Sequence, residues 1–144
     1  MKCQLIAHYQ RSTSACTVIP LFSETVPAGF PSPAQDYVER SLDLNELCIQ
    51  HPAATYFVRA QGESMQEGGI FDGDILVVDR SLKARHEDIV IACLDNEFTV
   101  KQLHTRPRIR LMPMNRHFPA IEPAADSTLE IFGVVSTVIH QLRR

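Results

Sequence analysis

From residue 55 onward the chain is a succession of short runs rich in β-branched and aromatic residues, each closed by a turn signal. The runs cover residues 55–60, 75–78, 89–94, 97–103, 109–112 and 131–139, and between them stand Gly62, Gly68-Gly69, Asp72-Gly73-Asp74 and Asp95-Asn96. Branched and aromatic side chains suit a pleated, half-buried surface, while Gly, Asp and Asn tolerate the backbone angles of tight turns. The pattern predicts a mainly β domain. A length of 144 residues suits one such core, and 44% hydrophobic with 22% charged residues is the balance of an ordinary globular chain.

The beginning of the chain is different. Residues 1–36 carry Ser, Thr and Pro, with Pro27, Gly29, Pro31 and Pro33 close together. Proline removes a backbone donor and fixes φ, so this stretch is expected to be an extended, accessible arm ahead of a β-rich domain at 37–144. Within residues 34–47, Asp36 ahead of Glu39 and apolar Val38, Leu42 and Leu44 suggest a short helix followed by an extended piece. The alternation around Leu42 and Leu44 fits a strand equally well. Val26-Pro27-Ala28 before Gly29 resembles a signal-peptide cleavage site, yet His8, Gln10, Arg11, Ser12, Thr13 and Ser14 interrupt the continuous apolar stretch such a peptide needs. With no apolar run near the roughly 20 residues of a membrane span, a cytoplasmic protein is expected. Cys3, Cys16, Cys48 and Cys93 form no C-x-x-C pair and read as reduced thiols.

A net charge of -3 exerts no general pull on nucleic acid. The one basic stretch holds His104, Arg106, Arg108, Arg110, Arg116 and His117. Its arginines at 106, 108 and 110 alternate as on the wet face of a strand, and no aromatic residue interleaves to stack a base, so direct nucleic-acid binding is not expected. The six histidines form no metal-ligand cluster, and the sequence lacks H-E-x-x-H, G-x-S-x-G, phosphate-loop and dinucleotide fingerprints. Most familiar enzyme classes are thereby excluded.

Two residues carry the remaining chemistry. Ser64, in Gln61-Gly62-Glu63-Ser64-Met65, follows a β-run and precedes Gly68-Gly69, so it reads either as a plain turn residue or as a nucleophile at a strand-to-turn junction. Lys101 sits inside the apolar run Phe98-Thr99-Val100-Lys101-Gln102-Leu103, on the same face as Thr99 and Leu103. Pointing outward it is an ordinary solvated lysine. Pointing inward it loses hydration, its pKa falls, and the neutral amine becomes a general base. Periodicity alone leaves the direction open.

The order of motifs resembles the LexA/UmuD self-cleaving serine peptidases, and UmuD and its plasmid-borne relatives most of all. The residues concerned are 27–33 (Pro-Ala-Gly-Phe-Pro-Ser-Pro), Gly62-Glu63-Ser64-Met65, 69–74 (Gly-Ile-Phe-Asp-Gly-Asp) and Glu97-Phe98-Thr99-Val100-Lys101. The likeness runs from about residue 20 to 135 and implies a LexA/signal-peptidase-like β-rich catalytic domain. It implies a dyad of Ser64 as nucleophile and Lys101 as general base, with the backbone N–H groups of Ser64 and Met65 as oxyanion donors. It places the scissile bond between Ala28 and Gly29, so that residues 1–28 are removed, and it requires no metal or cofactor. The short arm leaves no room for the helix-turn-helix domain of a LexA repressor. The family further implies stimulation by a RecA filament on single-stranded DNA, a homodimer, and service as accessory subunit to an UmuC-like Y-family DNA polymerase in SOS mutagenesis. Two competing readings are an intermolecular peptidase resembling signal peptidase and a β-rich adaptor in which Ser64 and Lys101 are inert.

Overall fold

The computed structural model describes residues 2–8, 19–22 and 38–143. Among the described residues nine strands alternate with very little helix: β1 (Lys2–His8), β2 (Ile19–Phe22), β3 (Val38–Leu42), α1 (Leu44–Cys48), β4 (Thr55–Gln61), β5 (Ile75–Asp79), β6 (Ile89–Leu94), β7 (Glu97–His104), β8 (Arg110–Met112) and β9 (Leu129–Ile139). The expected mainly β class is therefore what the chain forms. Contacts divide it into two units, one of residues 1–10 with 51–144 and the other of residues 11–50.

The larger unit is built on a seven-stranded sheet in the order β1-β4-β5-β9-β6-β7-β8. A further pairing of β1 with β7, Lys2 opposite Thr99, closes the first six of these strands into a ring. Neighbours pair antiparallel, as the short turns between them require. Central strands are buried on both faces, which is why β5 and β6 read as unbroken apolar runs rather than as alternations. In β5, Leu76, Val77 and Val78 are all buried. In β6, Ile91 joins an inner cluster with Val58, Ala60, Met65, Ile70, Leu76, Val78 and Val100, while Val90 and Ala92 join a second cluster with Leu103, Leu111 and Val134 on the other face. Strand β8 and the bridge between Leu111 and Ile121 cover that second face.

The turn signals act as their chemistry predicts. Asp95 and Asn96 both have positive φ, 48° and 67°, and join Leu94 to Glu97 in a two-residue hairpin. Asp95 Oδ1 also accepts from the Thr128 N–H at 3.0 Å, tying the hairpin to the start of β9. At the end of β4, Gly62 has φ 101°, open to glycine at little steric penalty, and its N–H donates to Asp72 Oδ1 at 2.7 Å. That bond turns the chain toward Ser64.

Three local readings are corrected. The helix between residues 34 and 50 comes after the extended piece, because Asp43 caps it through Oδ1 to the Asn45 N–H at 2.9 Å and β3 precedes it. Residues 106 and 108 lie in a loop, and the strand begins only at Arg110, since Pro107 offers no ladder donor. The segment expected as one extended arm, residues 1–36, contains β1 and β2, and the larger unit resumes at His51 rather than at residue 37. Strand β1 pairs along β4 from Lys2 opposite Gln61 to His8 opposite Tyr56, and β2 pairs with β3 in a separate two-stranded sheet. Pairing partners so distant in sequence leave no local periodicity to read.

One buried carboxylate ties the end of β5 to its surroundings. Asp79 is buried, meets His51 Nδ1 at 2.6 Å and accepts at Oδ1 from the hydroxyl and N–H of Ser81 at 2.6 and 2.8 Å. Burial raises its pKa, but the hydrogen bonds from Ser81 and His51 outweigh this and hold the carboxyl below its ordinary value. A depressed folded-state pKa contributes stability above the unfolded carboxylate range that is lost as pH falls through the folded value. Asp79→Asn is accordingly expected to melt at a lower temperature at neutral pH, and to lose less stability than the unmutated protein on acidification. Calorimetric Tm values between neutral pH and the acid range check both.

Candidate active site

Ser64 lies just beyond β4, in a turn fastened from both sides. Next to it Met65 is fully buried in the inner cluster, and the Met65 carbonyl accepts from the N–H groups of Gly68 and Ile70 at 3.0 and 3.2 Å. From the far side, residues after β8 reach in. The Met114 N–H donates to the Ser64 carbonyl at 2.8 Å, the Met114 carbonyl accepts from the Glu67 N–H at 2.7 Å, and Asn115 Nδ2 donates to the Glu63 carbonyl at 2.8 Å. Gly68 leaves room for this contact, since a Cβ there would stand 2.4 Å from the Met114 sulfur. The serine is a turn residue, and it is wholly buried.

Lys101 comes from β7, whose hairpin with β6 sets it opposite Val90. It points inward and is 4% exposed. Its amine lies 3.1 Å from Ser64 Oγ, 2.8 Å from Thr99 Oγ1 and 3.1 Å from the Val100 carbonyl. Among the described residues these hydrogen-bond partners are neutral oxygens, so no carboxylate offsets the lost hydration. Burial accordingly pushes the amine below the ordinary lysine value, against smaller opposing effects that include the nearby Cys3. The Cys3 thiol is itself pushed up to about 11 by burial, so it is protonated at neutral pH and supplies no full negative charge. When deprotonated, an amine beside a serine hydroxyl can activate a weak nucleophile.

Beside the lysine opens a cleft of about 310 Å³, lined by Leu94, Glu97, Phe98, Thr99, Lys101, Phe118, Pro119 and Ile121. Its walls are largely apolar, and Phe98 and Phe118 stand 45% and 42% exposed. An extended, uncharged stretch of polypeptide suits such walls. Ala28 and Gly29, the expected scissile pair, lie outside the described residues. Within the basic stretch Arg108 pairs with Glu122 at 3.1 Å and Arg116 approaches Glu67 at 3.9 Å.

Comparison with known proteins adds a sequence-wide finding. A family model described as Peptidase S24-like matches residues 20–136. The chain belongs to this peptidase family. It is 56% identical to protein SamA of Salmonella typhimurium strain LT2 over 124 residues, 86% of each chain. Protein MucA of Escherichia coli is 57% identical over 120 residues, 82% of each, and protein ImpA of Shigella flexneri is 53% identical over 135 residues, 88% of this chain and 86% of that one. The UmuD-like resemblance read from the motif order is borne out by these relatives.

Sequence reasoning singled out Ser64 and Lys101 in this S24-like chain, and the fold brings the two side chains into hydrogen-bond contact. Thr99 appeared there only as a residue on the lysine's face, whereas its hydroxyl lies 2.8 Å from the amine. Met114 and Asn115 were missed altogether, because a clamp made across some fifty positions of sequence has no local signature. Removing a buried side-chain donor costs about 1–3 kcal/mol when its acceptor is left unsatisfied. Asn115→Ala is expected to lose stability in that range, while its exposed neighbour Arg116→Ala changes by less than about 0.5 kcal/mol. Urea unfolding of the two variants side by side checks the difference.

Proposed function

We propose that this S24-like protein cuts its own chain between Ala28 and Gly29, and that the shortened form then serves as a binding partner in error-prone synthesis past DNA lesions. The observation that carries the reading is the 3.1 Å contact between Lys101 Nζ and Ser64 Oγ at a place where both side chains are buried. Neutral Lys101 takes the Ser64 proton as Oγ attacks the Ala28 carbonyl carbon. The backbone N–H groups of Ser64 and Met65 receive the developing oxyanion. The Ala28–Gly29 bond breaks, the proton passes from Lys101 to the departing Gly29 nitrogen, and an ester joins Ala28 to Ser64. Water, deprotonated by Lys101, then releases the Ala28 carboxylate and regenerates the serine.

A substrate carried on the same molecule needs little binding affinity, because tethering supplies a high effective concentration. Small Ala28 and Gly29 let the backbone approach a confined serine. The family likeness supports the remaining parts of the reading: a RecA filament on single-stranded DNA as stimulus, a cytoplasmic homodimer as product, and an UmuC-like Y-family polymerase as the partner it joins.

Intact-mass analysis after incubation with RecA, single-stranded DNA and a nucleoside triphosphate tests the proposal. A fragment beginning at Gly29 is expected from the unmutated chain and from neither Ser64→Ala nor Lys101→Ala. An uncut chain throughout would favour the inert adaptor, and efficient cutting of a foreign Ala-Gly peptide would favour an intermolecular peptidase. Because the base acts in its deprotonated form and burial lowers its pKa, the spontaneous rate should climb with pH and level off below the ordinary lysine range near 10.4. A rate that is flat or falls with pH contradicts the role of Lys101.

A further inference from the structure

Strand β1 sits at the dyad. Its first residue, Lys2, pairs on one side with Gln61, where β4 ends and the turn carrying Ser64 begins, and on the other with Thr99, whose hydroxyl holds the Lys101 amine. Cys3, the next residue, packs against the inner cluster that contains Met65. With β1 in this position Ser64 has no solvent exposure and Lys101 almost none. The lining of the adjacent cleft includes Lys101 and Thr99 but not Ser64. A scissile carbonyl has to reach Ser64 Oγ, so something covering the dyad must move before any cut.

The two attachments of β1 are unequal. Along β4 it pairs continuously except for an irregularity between Leu5 and Ala7, whereas on β7 it is joined at Lys2 alone. A strand held mainly along one edge peels away without opening the pairs among β4, β5, β9, β6 and β7, which carry both clusters. Residues 2–8 also lie within the segment that the proposed cut detaches.

We propose that β1 is an inhibitory strand, which while docked between β4 and β7 closes the approach to Ser64 and Lys101 and must withdraw for self-cleavage. This rests on the reading of the protein as self-cleaving. Withdrawal makes and breaks no covalent bond, and it exposes the edge of β4 and the Thr99 end of β7 to an incoming extended segment.

Two variants test it: a chain lacking residues 2–8, and Leu5→Pro, which removes a backbone donor from β1. Both are expected to cut themselves without stimulus at least about tenfold faster than the unmutated chain, as a shift in docking of roughly 1.4 kcal/mol gives a tenfold population change. An equal or slower rate in folded variants overturns the proposal. So does loss of fold in both, since a strand the sheet cannot lose is no gate. A second readout is independent of cutting: acylation of the Lys101 amine by a small reagent, followed by peptide mass in the Ser64→Ala background. Labelling of Lys101 should rise about tenfold when β1 is deleted or broken, and unchanged labelling overturns the proposal. Absence of cleavage in every version alongside increased Lys101 labelling would instead count against the self-cleavage reading and leave β1 as the cover.

Discussion

Everything in this molecule that bears on chemistry depends on holding one lysine out of water. An amine of 4% exposure, with neutral oxygens as its hydrogen-bond partners among the described residues, is a poor place for a positive charge. The sheet enforces that environment. β7 presents Lys101 inward, its hairpin with β6 and the burial of Val90 and Val100 keep it there, and the turn after β4 brings Ser64 against it. The desolvation that lowers the Lys101 pKa comes from the same packing that builds the core.

Ser64 is supported differently. Ser64 stands on a turn whose position depends on Gly62 and Asp72 at the start, Met65 in the core and the Met114–Asn115 clamp from across the fold. Side chains from widely separated stretches thus converge on a serine and a lysine that are themselves 37 positions apart. Such convergence suits a reaction whose substrate arrives tethered, because orientation rather than affinity is what the site must provide. The apolar cleft next to Lys101 adds a short wall for an extended chain without forming a deep pocket.

Much of this was legible in the residues. The six β-runs after residue 55 correspond to β4 through β9, displaced by no more than two residues at any end, because branched side chains and Gly or Asp turns are local signals. The Asp95-Asn96 hairpin was readable for the same reason, and period-two alternation put Thr99 and Lys101 on one face before their contact was known. What was not legible is non-local. The direction of Lys101 is decided by packing across strands. The helix was read from Asp36 ahead of Glu39 whereas its cap is Asp43, and the β1–β4 pairing joins residues 48 to 59 positions apart. A proline-rich region encouraged a uniform reading of the first 36 residues, whereas Lys2–His8 precede the prolines and carry a strand.

The proposed self-cleavage depends most directly on the protonation state of Lys101. Its titration can be followed directly by NMR of the side-chain amine in protein labelled with nitrogen-15 lysine, assigned by comparison with Lys101→Arg. The expected midpoint lies below the ordinary lysine value near 10.4, set apart from the chain's other lysines. A Lys101 that titrates together with the solvent-exposed lysines would mean that the amine is charged at neutral pH and is not the base that activates Ser64.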